Sequence, residues 1–491
     1  MRRALRFSAV ALLLAAAGAV AGWAAAPARA DSPLRLDNQR SLRAQFHYTP
    51  AYERNLPSFD AANRAYIRSR TATQDATGYA LSQGANGFRR ASLLDAVRRV
   101  YPRFRATVNA GGWAGEAIEA DAQGRLYTLL EIKISDGSLR NLLLYSTDGG
   151  RSWRVRKLPF TPPGRSPDGR NDGTCASEHL AGFNLRSEPP LIAVWKPVGD
   201  WPGYRACRMA LYVLQPRFEG DRLVLPDPVR VTDRALGLIQ AAGGASFAAT
   251  VGTTTYVVWA EVAAVAAPGS PVYVAAYDQT TGTLGAPQQV ATARPVNDDH
   301  TTPGIVADSK GVLHVLTGGH NTPFMYTHTL DPADPTTWSS PEPVLRSGYR
   351  QPGETGRGRG RQTYVSLVCM PDDSLVVVYR QWRRGVDTAF RGEPYQALSV
   401  QRLEPGGTWS EARRIIYCSR FRGYAQYYQK MTVDRRGRIY LSLNYFRPHD
   451  WPRDARVANR YHQRMILISE DGGDTWRFAV LGDFLRGVLK D

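Results

Sequence analysis

Six stretches of the chain repeat one hydrophobic pattern: an apolar run, a short polar turn, then a stronger apolar run. They read AIEADAQGRLYTLLE from Ala117, NLRSEPPLIAVWK from Asn184, FAATVGTTTYVVWAE from Phe247, GIVADSKGVLHVLTG from Gly304, SLVCMPDDSLVVVYR from Ser366 and KMTVDRRGRIYLSLN from Lys430. Anchored on the second run at Leu126, Leu191, Thr255, Leu313, Leu375 and Ile439, successive copies lie 65, 64, 58, 62 and 64 residues apart. A third strand follows each, then a terminal segment often carrying Trp or Pro, as at Trp153, Pro226, Pro287, Trp338, Trp409 and Trp476. Four strands per unit at this period are the signature of propeller blades. The pattern predicts an all-β chain, a seven-bladed β-propeller with four antiparallel strands per blade. Six blades are legible, and the seventh is expected from residues between about 40 and 110 joined to the tail after Trp476. Ala91–Tyr101, ASLLDAVRRVY, reads as an amphipathic helix ahead of the first legible blade.

Two copies of an eight-residue pattern, S-x-D-G-G-x-[ST]-W, punctuate this repeat at Ser146–Trp153 and Ser469–Trp476. Each follows an apolar run, Leu142–Tyr145 or Met465–Ile468. The chemistry suits a tight hairpin: the Asp bonds turn amides, the glycines take positive φ and the Trp covers the turn.

The ends and the composition supply a setting. Arg2, Arg3 and Arg6 precede an apolar stretch, Ala9–Ala21, too short for a membrane span, and Ala28-Arg29-Ala30 forms a cleavage pattern before Asp31. Residues 1–30 are therefore expected to be a signal peptide, 31–109 an N-terminal segment contributing to ring closure, and 110–491 the propeller. The working protein is expected to be a secreted or periplasmic monomer with no membrane attachment after cleavage. Formal charge is +18, and removing the four arginines of the first 30 residues leaves +14. Such an excess suits a polyanionic partner, while no zinc-finger spacing or basic helix argues for nucleic acid. Of the four cysteines, proximity pairs Cys175 with Cys207 and Cys369 with Cys418, although three connectivities are open. No C-x-x-C pair supports redox chemistry.

The repeat also brings candidate chemistry together. The start of each first strand and the end of each second strand share one face of the disc. Five positions past the anchors stand Glu131, Lys196, Ala260, Gly318, Arg380 and Asn444. Thirteen and eleven before the later anchors stand His300 and Thr302, Gln362 and Tyr364, Gln426 and Tyr428. His320 lies two past Gly318, in Gly318-Gly319-His320-Asn321, where the glycines would let the backbone approach a ligand. His300, His320, Tyr364, Arg380, Tyr428 and Asn444 should thus crowd one face near the axis. The other histidines, His179 among them, show no comparable setting.

Two resemblances follow from these residues. The S-x-D-G-G-x-[ST]-W copies resemble the Asp box of sialidase-like propellers, which marks a fold rather than a chemistry. The D-x-H-x-x-P segment at His300, G-G-H-N at His320, then Tyr364 and Arg380 sixteen apart resemble the BNR-repeat propellers that include ulvan lyases. The likeness covers approximately residues 110–480. It implies a secreted enzyme that cleaves a uronate-containing polysaccharide by β-elimination. By this resemblance His300 is the base, Tyr364 the acid, His320 a helper at the carboxylate and Arg380 its cationic partner, with the His300/Tyr364 division left open. Arg447, Tyr428, Asn444 and Asn321 would bind substrate. The chemistry requires no cofactor, and structural calcium or zinc stays open. A sialidase-type hydrolase is the first alternative, although no R-I-P motif occurs. A non-catalytic glycan-binding propeller is the second.

Overall fold

The computed structural model describes residues 34–35, 56–69, 79–84, 87–106, 117–135, 139–160, 174–181, 184–198, 208–237, 245–345, 361–384, 394–417, 426–445 and 463–485. The chain divides into Met1–Ser32 and Pro33–Asp491, and the second holds every described element. The expected signal peptide lies outside the described residues. Among them no helix is long and apolar enough to cross a membrane.

Among the described residues strands dominate and form seven main sheets in chain order. Sheet I comprises Ser58–Phe59, Ala65–Ser69, Tyr79–Gly84 and Gly87–Ser92. In sheets II to VII the first strand of the repeated pair is Glu119–Ala120, Thr174–Ser177, Ala248–Val251, Gly304–Ala307, Gln362–Cys369 or Gln426–Val433, with Phe104–Ala106 added to sheet II and Leu34–Arg35 and His320–Thr322 at the edges of sheet VI. Each continues through antiparallel neighbours, in sheet VII through Ile439–Tyr445, Gln463–Ser469 and Arg477–Phe478. First strands of successive sheets touch one another in sheets I and II and throughout IV to VII.

Packing explains why many strands are apolar without alternation: both faces of a sheet are covered by its neighbours. Leu142, Leu143, Leu144 and Tyr145 are all buried, as a strand with two covered faces requires. Leu142 and Leu144 join the cluster shared with Tyr66 and Ala80 of sheet I, whereas Leu143 and Tyr145 join Ile192 and Leu214 of sheet III. Sheet VI repeats the division, with Val377 and Tyr379 toward sheet V and Val376 and Val378 toward sheet VII. Sheet VII in turn packs on sheet I, Tyr440, Ile466 and Ile468 meeting Phe59, Ala65 and Ile67.

One expectation is corrected here. Among the described residues the four strands of sheet I all lie within Ser58–Ser92, and the strand after Trp476, Arg477–Phe478, belongs to sheet VII. First and last sheets therefore meet face to face instead of sharing strands. The sequence carries the signal for sheet I as the pattern D-x-x-x-R-x-Y, present at Asp60–Tyr66, Asp121–Tyr127 and Asp434–Tyr440. In the first two, one carboxylate accepts from the Arg backbone, the Arg Nε and the Tyr hydroxyl at 2.6–2.9 Å. These bonds lock the turn between first and second strands. In the third, Asp434 holds Arg438 the same way while Tyr440 bonds the carbonyl of Asp483.

The S-x-D-G-G-x-[ST]-W segments form the turns after Leu139–Ser146 and Gln463–Ser469. Asp148 accepts the amides of Arg151 and Ser152 and the Ser152 hydroxyl at 2.9, 2.9 and 2.6 Å. Asp471 accepts the amide and hydroxyl of Thr475 at 2.8 and 2.6 Å. Gly149, Gly150, Gly472 and Gly473 all take positive φ, which a side chain would strain. A helix, Leu93–Val100, follows sheet I, and its N-cap Ser92 accepts from the Asp95 amide.

The expected Cys369–Cys418 bridge does not form, since Cys369 is free. It sits buried at the end of Gln362–Cys369, opposite Leu375. Cys418 lies outside the described residues, but its neighbour Tyr417 ends a strand three places across the same sheet, at the opposite end. Three strand spacings are about 14 Å, beyond the reach of a disulfide. Cys207 lies outside the described residues, so the other expected pair does too.

Candidate functional site

The site begins in the connection from sheet IV to sheet V. Asp298 caps a short 3-10 turn, Asp299–Thr301, by accepting the His300 amide at 2.9 Å. That cap aims the same carboxylate at two side chains. Its Oδ1 lies 2.6 Å from His300 Nδ1 and its Oδ2 2.7 Å from His320 Nδ1. The imidazoles stack with centroids 4.2 Å apart and 27° between planes. Asp299 Oδ1 approaches His300 Nδ1 at 3.0 Å.

His320 arrives from the other direction. The segment His320–Thr322 leaves sheet V and pairs with Gln362 and Thr363 of sheet VI. Gly318 makes the approach possible: a Cβ there would fall on backbone atoms of Thr301 and Thr302. The glycine thus serves a backbone-to-backbone contact that seats the His300 turn.

Tyr364 reaches the site through a bulge. Pairing of Gln362–Cys369 with Leu375–Arg384 shifts register between Thr363 and Ser366, and Tyr364 has φ +63°. Positive φ on a bulky residue is costly and tends to cluster where a side chain must be re-aimed. The Tyr364 ring lies 5.6 Å from the His300 ring, and the Arg380 guanidinium carbon 4.5 Å from the Tyr364 centroid. Arg380 stands opposite Thr363 in the ladder. Gln429 donates its side-chain amide to the Tyr364 carbonyl, tying the bulge to sheet VII.

Sheet VII repeats the device. Its register shifts between Tyr427 and Lys430, Tyr428 has φ +54°, and its ring meets Tyr364 edge to face at 5.1 Å. Asn444 stands opposite Tyr427. Asn321, exposed and also left-handed, donates its amide to Thr363 Oγ1 at 2.9 Å. Arg447 lies outside the described residues. His300, His320, Tyr364, Arg380 and Tyr428 are therefore contiguous, with Asn321 beside them.

Charge is distributed unevenly in this cluster. Burial opposes ionisation of Asp298, but hydrogen bonds from His300 and His320 outweigh it and hold the carboxyl well below the usual range. Burial likewise opposes a proton on His300, yet Asp298 and Asp299 prevail and push its pKa up to about 9. At neutral pH His300 is an imidazolium. The site thus offers two cations, His300 and Arg380, beside one phenol. Asp298, His300 and His320 also place ligand atoms within 4.8 Å of one another, a set that could hold a metal ion.

The D-x-H pattern marks Asp298, a carboxylate two residues before the His, whereas Asp299 carries no signal of its own. His179 had no local signal. Its Nδ1 lies 3.2 Å from both Glu119 oxygens and its Nε2 3.2 Å from Thr432 Oγ1, tying sheets II and VII across partners distant in sequence. An open groove of about 640 Å³, lined by Arg99, Arg154, Arg156 and Arg222 among others, contains none of these site residues.

Comparison with known proteins adds the following. Residues 255–479 match the model of a family described as BNR repeat-containing family member, a stretch that contains His300, His320, Tyr364, Arg380 and Tyr428. Among solved structures the chain is similar to polysaccharide lyase Uly1, with 15% identity, 48% of this chain and 54% of that chain covered, and a TM-score of 0.33. It is similar to a PL25 ulvan lyase bound to -[GlcA(1-4)Rha3S]- at 16% identity, 48% and 54% coverage and a TM-score of 0.35. It is also similar to the sialidase of Trypanosoma rangeli in complex with sialic acid, at 10%, 85% and 60%, TM-score 0.36. The chain spans about half the length of the two lyases. Likeness this distant fixes no activity. No curated protein sequence matches the chain.

Proposed function

We propose that the chain is a seven-bladed β-propeller polysaccharide lyase that cleaves a uronate-containing anionic polysaccharide by β-elimination. The observation that carries this reading is one phenol, Tyr364, held beside two cations, His300 and Arg380. Elimination must remove a weakly acidic proton next to a carboxylate, so positive charge at that carboxylate and a nearby proton-transfer group are the two requirements. The seven-blade reading rests on seven sheets in chain order, with the last packed on the first.

The proton on His300 changes the division of labour expected from sequence. An imidazolium cannot act as base, so His300 joins Arg380 in binding the uronate carboxylate and stabilising charge spreading onto it. Tyr364, as phenolate, takes the C5 proton. The C5 electron pair forms the C4–C5 double bond as the C4–O bond breaks, and the phenol just formed returns its proton to the departing oxygen. Atoms and charge balance, and no water is consumed. The two cations also stabilise the phenolate stage. Tyr428 meets the Tyr364 ring and Asn321 bonds its neighbour Thr363, and both would contact flanking sugars.

A screen of the purified mature protein against uronate-containing polysaccharides, followed by ultraviolet absorbance, tests the proposal. Growth of absorbance from an unsaturated uronate is the expected result. Cleavage without it would mark a hydrolase, and binding without cleavage a glycan-binding propeller.

A further inference from the structure

We propose that the open groove of about 640 Å³ at the outer edge of sheet II is a second, non-catalytic binding site for anionic polysaccharide. Its role in cleavage rests on the lyase reading; the binding itself does not. The groove lies where three elements meet. Arg154–Lys157 is the edge strand of sheet II. The helix Leu93–Val100 packs on that edge, Ala96 and Val97 sharing a cluster with Trp153 and Val155. The hairpin of Arg217–Glu219 and Arg222–Val224 supplies a further wall. Each element contributes cations: Arg99 from the helix, Arg154 and Arg156 from the strand, and Arg222 from the hairpin.

Three of these guanidiniums are fixed without being neutralised. Arg99 donates to the Trp153 carbonyl at 3.0 Å, Arg154 to that of Asp221 at 3.4 Å and Arg156 to that of Leu223 at 3.0 Å. A carbonyl holds a guanidinium in place but cancels none of its charge, and each Arg keeps further N–H donors. The Arg222 side chain is exposed and bonds to no other described residue. Exposed arginines elsewhere are paired, Arg98 with Asp95 and Arg230 with Asp233. Among the described residues none of the groove's four has a carboxylate partner. Of the acidic residues lining the groove, Glu219 is held by Arg217 at 3.2 Å and Asp221 pairs with none of the four. The result is a preorganised excess of positive charge in a hollow.

That chemistry selects the ligand. Guanidinium forks bind carboxylates and tetrahedral oxyanions through paired donors. Val100, 53% exposed at the same groove, offers an apolar contact for the face of a sugar ring. Single-stranded nucleic acid would need exposed aromatics to stack its bases, and the groove's two aromatics, Tyr145 and Trp153, are buried. Charged residues also guard edge strands against pairing, but a guard needs no cations converging from a neighbouring helix and hairpin. A polymer long enough to occupy both groove and cleft gains the second contact as an intramolecular one. A short oligosaccharide does not.

The test is the triple variant Arg154→Gln, Arg156→Gln, Arg222→Gln, which removes three charges while leaving polar side chains on the rim. The probe is heparin, a sulfated, uronate-containing chain, with dextran as a neutral glycan and duplex DNA as a second polyanion. Titration calorimetry should show heparin bound at least about tenfold more weakly by the triple variant, since one charge-assisted contact can be worth that much. Its affinity should also depend less steeply on salt. Arg222→Glu, at a side chain that holds nothing in place, should weaken heparin binding too. On a uronate polysaccharide that the parent cleaves, the triple variant should raise KM for long chains, with kcat unchanged and KM for a tetrasaccharide unchanged. Heparin affinity equal to the parent's in the triple variant, or in Arg222→Glu if the triple variant does not fold, overturns the proposal. Dextran or duplex DNA bound by the parent as tightly as heparin overturns it as well. Weakened heparin binding in a protein that cleaves no uronate polysaccharide leaves the groove standing and removes the lyase reading.

Discussion

Sheets VI and VII present the same corner twice. Each first strand carries a bulge one residue past a paired position, with a tyrosine at positive φ, Tyr364 in one and Tyr428 in the other. The two rings touch at 5.1 Å. They differ in what stands across the ladder: Arg380 in sheet VI and Asn444 in sheet VII, both five residues past their anchors. Tyr364 is also buried and lies against His300, whereas Tyr428 is only half-buried. The repeat thus supplies an aimed tyrosine at both of these bulges, and the chemistry proposed above falls on the one where cations are added. In this account Tyr428 borders the substrate while Tyr364 moves a proton.

The sharpest break of the comparison is a pair of phenylalanine variants. Tyr364→Phe should lose about 10³-fold in turnover, the ordinary size of an acid–base contribution. Tyr428→Phe should lose roughly tenfold or less, mainly in KM, as for one hydrogen bond. Steady-state kinetics on one substrate separates them, and equal losses would erase the distinction between the two corners.

Next in size is Arg380→Lys. The charge remains but the planar fork is lost, and turnover should drop about 100-fold, as for one lost charge-stabilising donor. Asn444→Ala, measured alongside, should change KM more than turnover.

A smaller effect concerns stability. The pKa of His300 is raised from 6.5 to about 9 on folding, so its stabilising contribution is full below about pH 6.5 and is lost as pH rises through about 9. Asp298 stays ionised across that window. Melting temperatures of the parent and His300→Gln should therefore converge with rising pH between those limits. A gap that is constant with pH would separate His300 from the carboxylates. The smallest expected effect is a general one: with a formal charge of +14 once the first 30 residues and their four arginines are removed from the +18 chain, binding of a polyanion should weaken as salt screens the surface.

Much of this was legible in the sequence because it depends on local periodicity. The apolar strand pairs recur at near-constant spacing, and the Asp148 and Asp471 turns carry their own hydrogen-bonding residues within five positions. The same spacing put His300, Tyr364 and Arg380 on one face. Sheet I falls in the stretch, about residues 40 to 110, expected to supply the seventh unit, but it is marked by the D-x-x-x-R-x-Y turn instead of the apolar strand pair that identifies the other six. The Asp298–His320 and His179–Glu119 contacts escaped because they join residues 22 and 60 apart through side chains alone. The Cys369–Cys418 pairing failed because nearness in sequence says nothing about the three strand spacings that separate those ends.

The central claim, elimination at the Tyr364 corner, is tested most directly by the mass of the products formed by the parent and by Tyr364→Phe on a uronate-containing polysaccharide. The account predicts that the new non-reducing ends released by the parent are unsaturated, one water lighter than hydrolysis would leave, and that the variant releases almost none. Products carrying the added water, or unsaturated products at undiminished rate from the Tyr364→Phe protein, would contradict it.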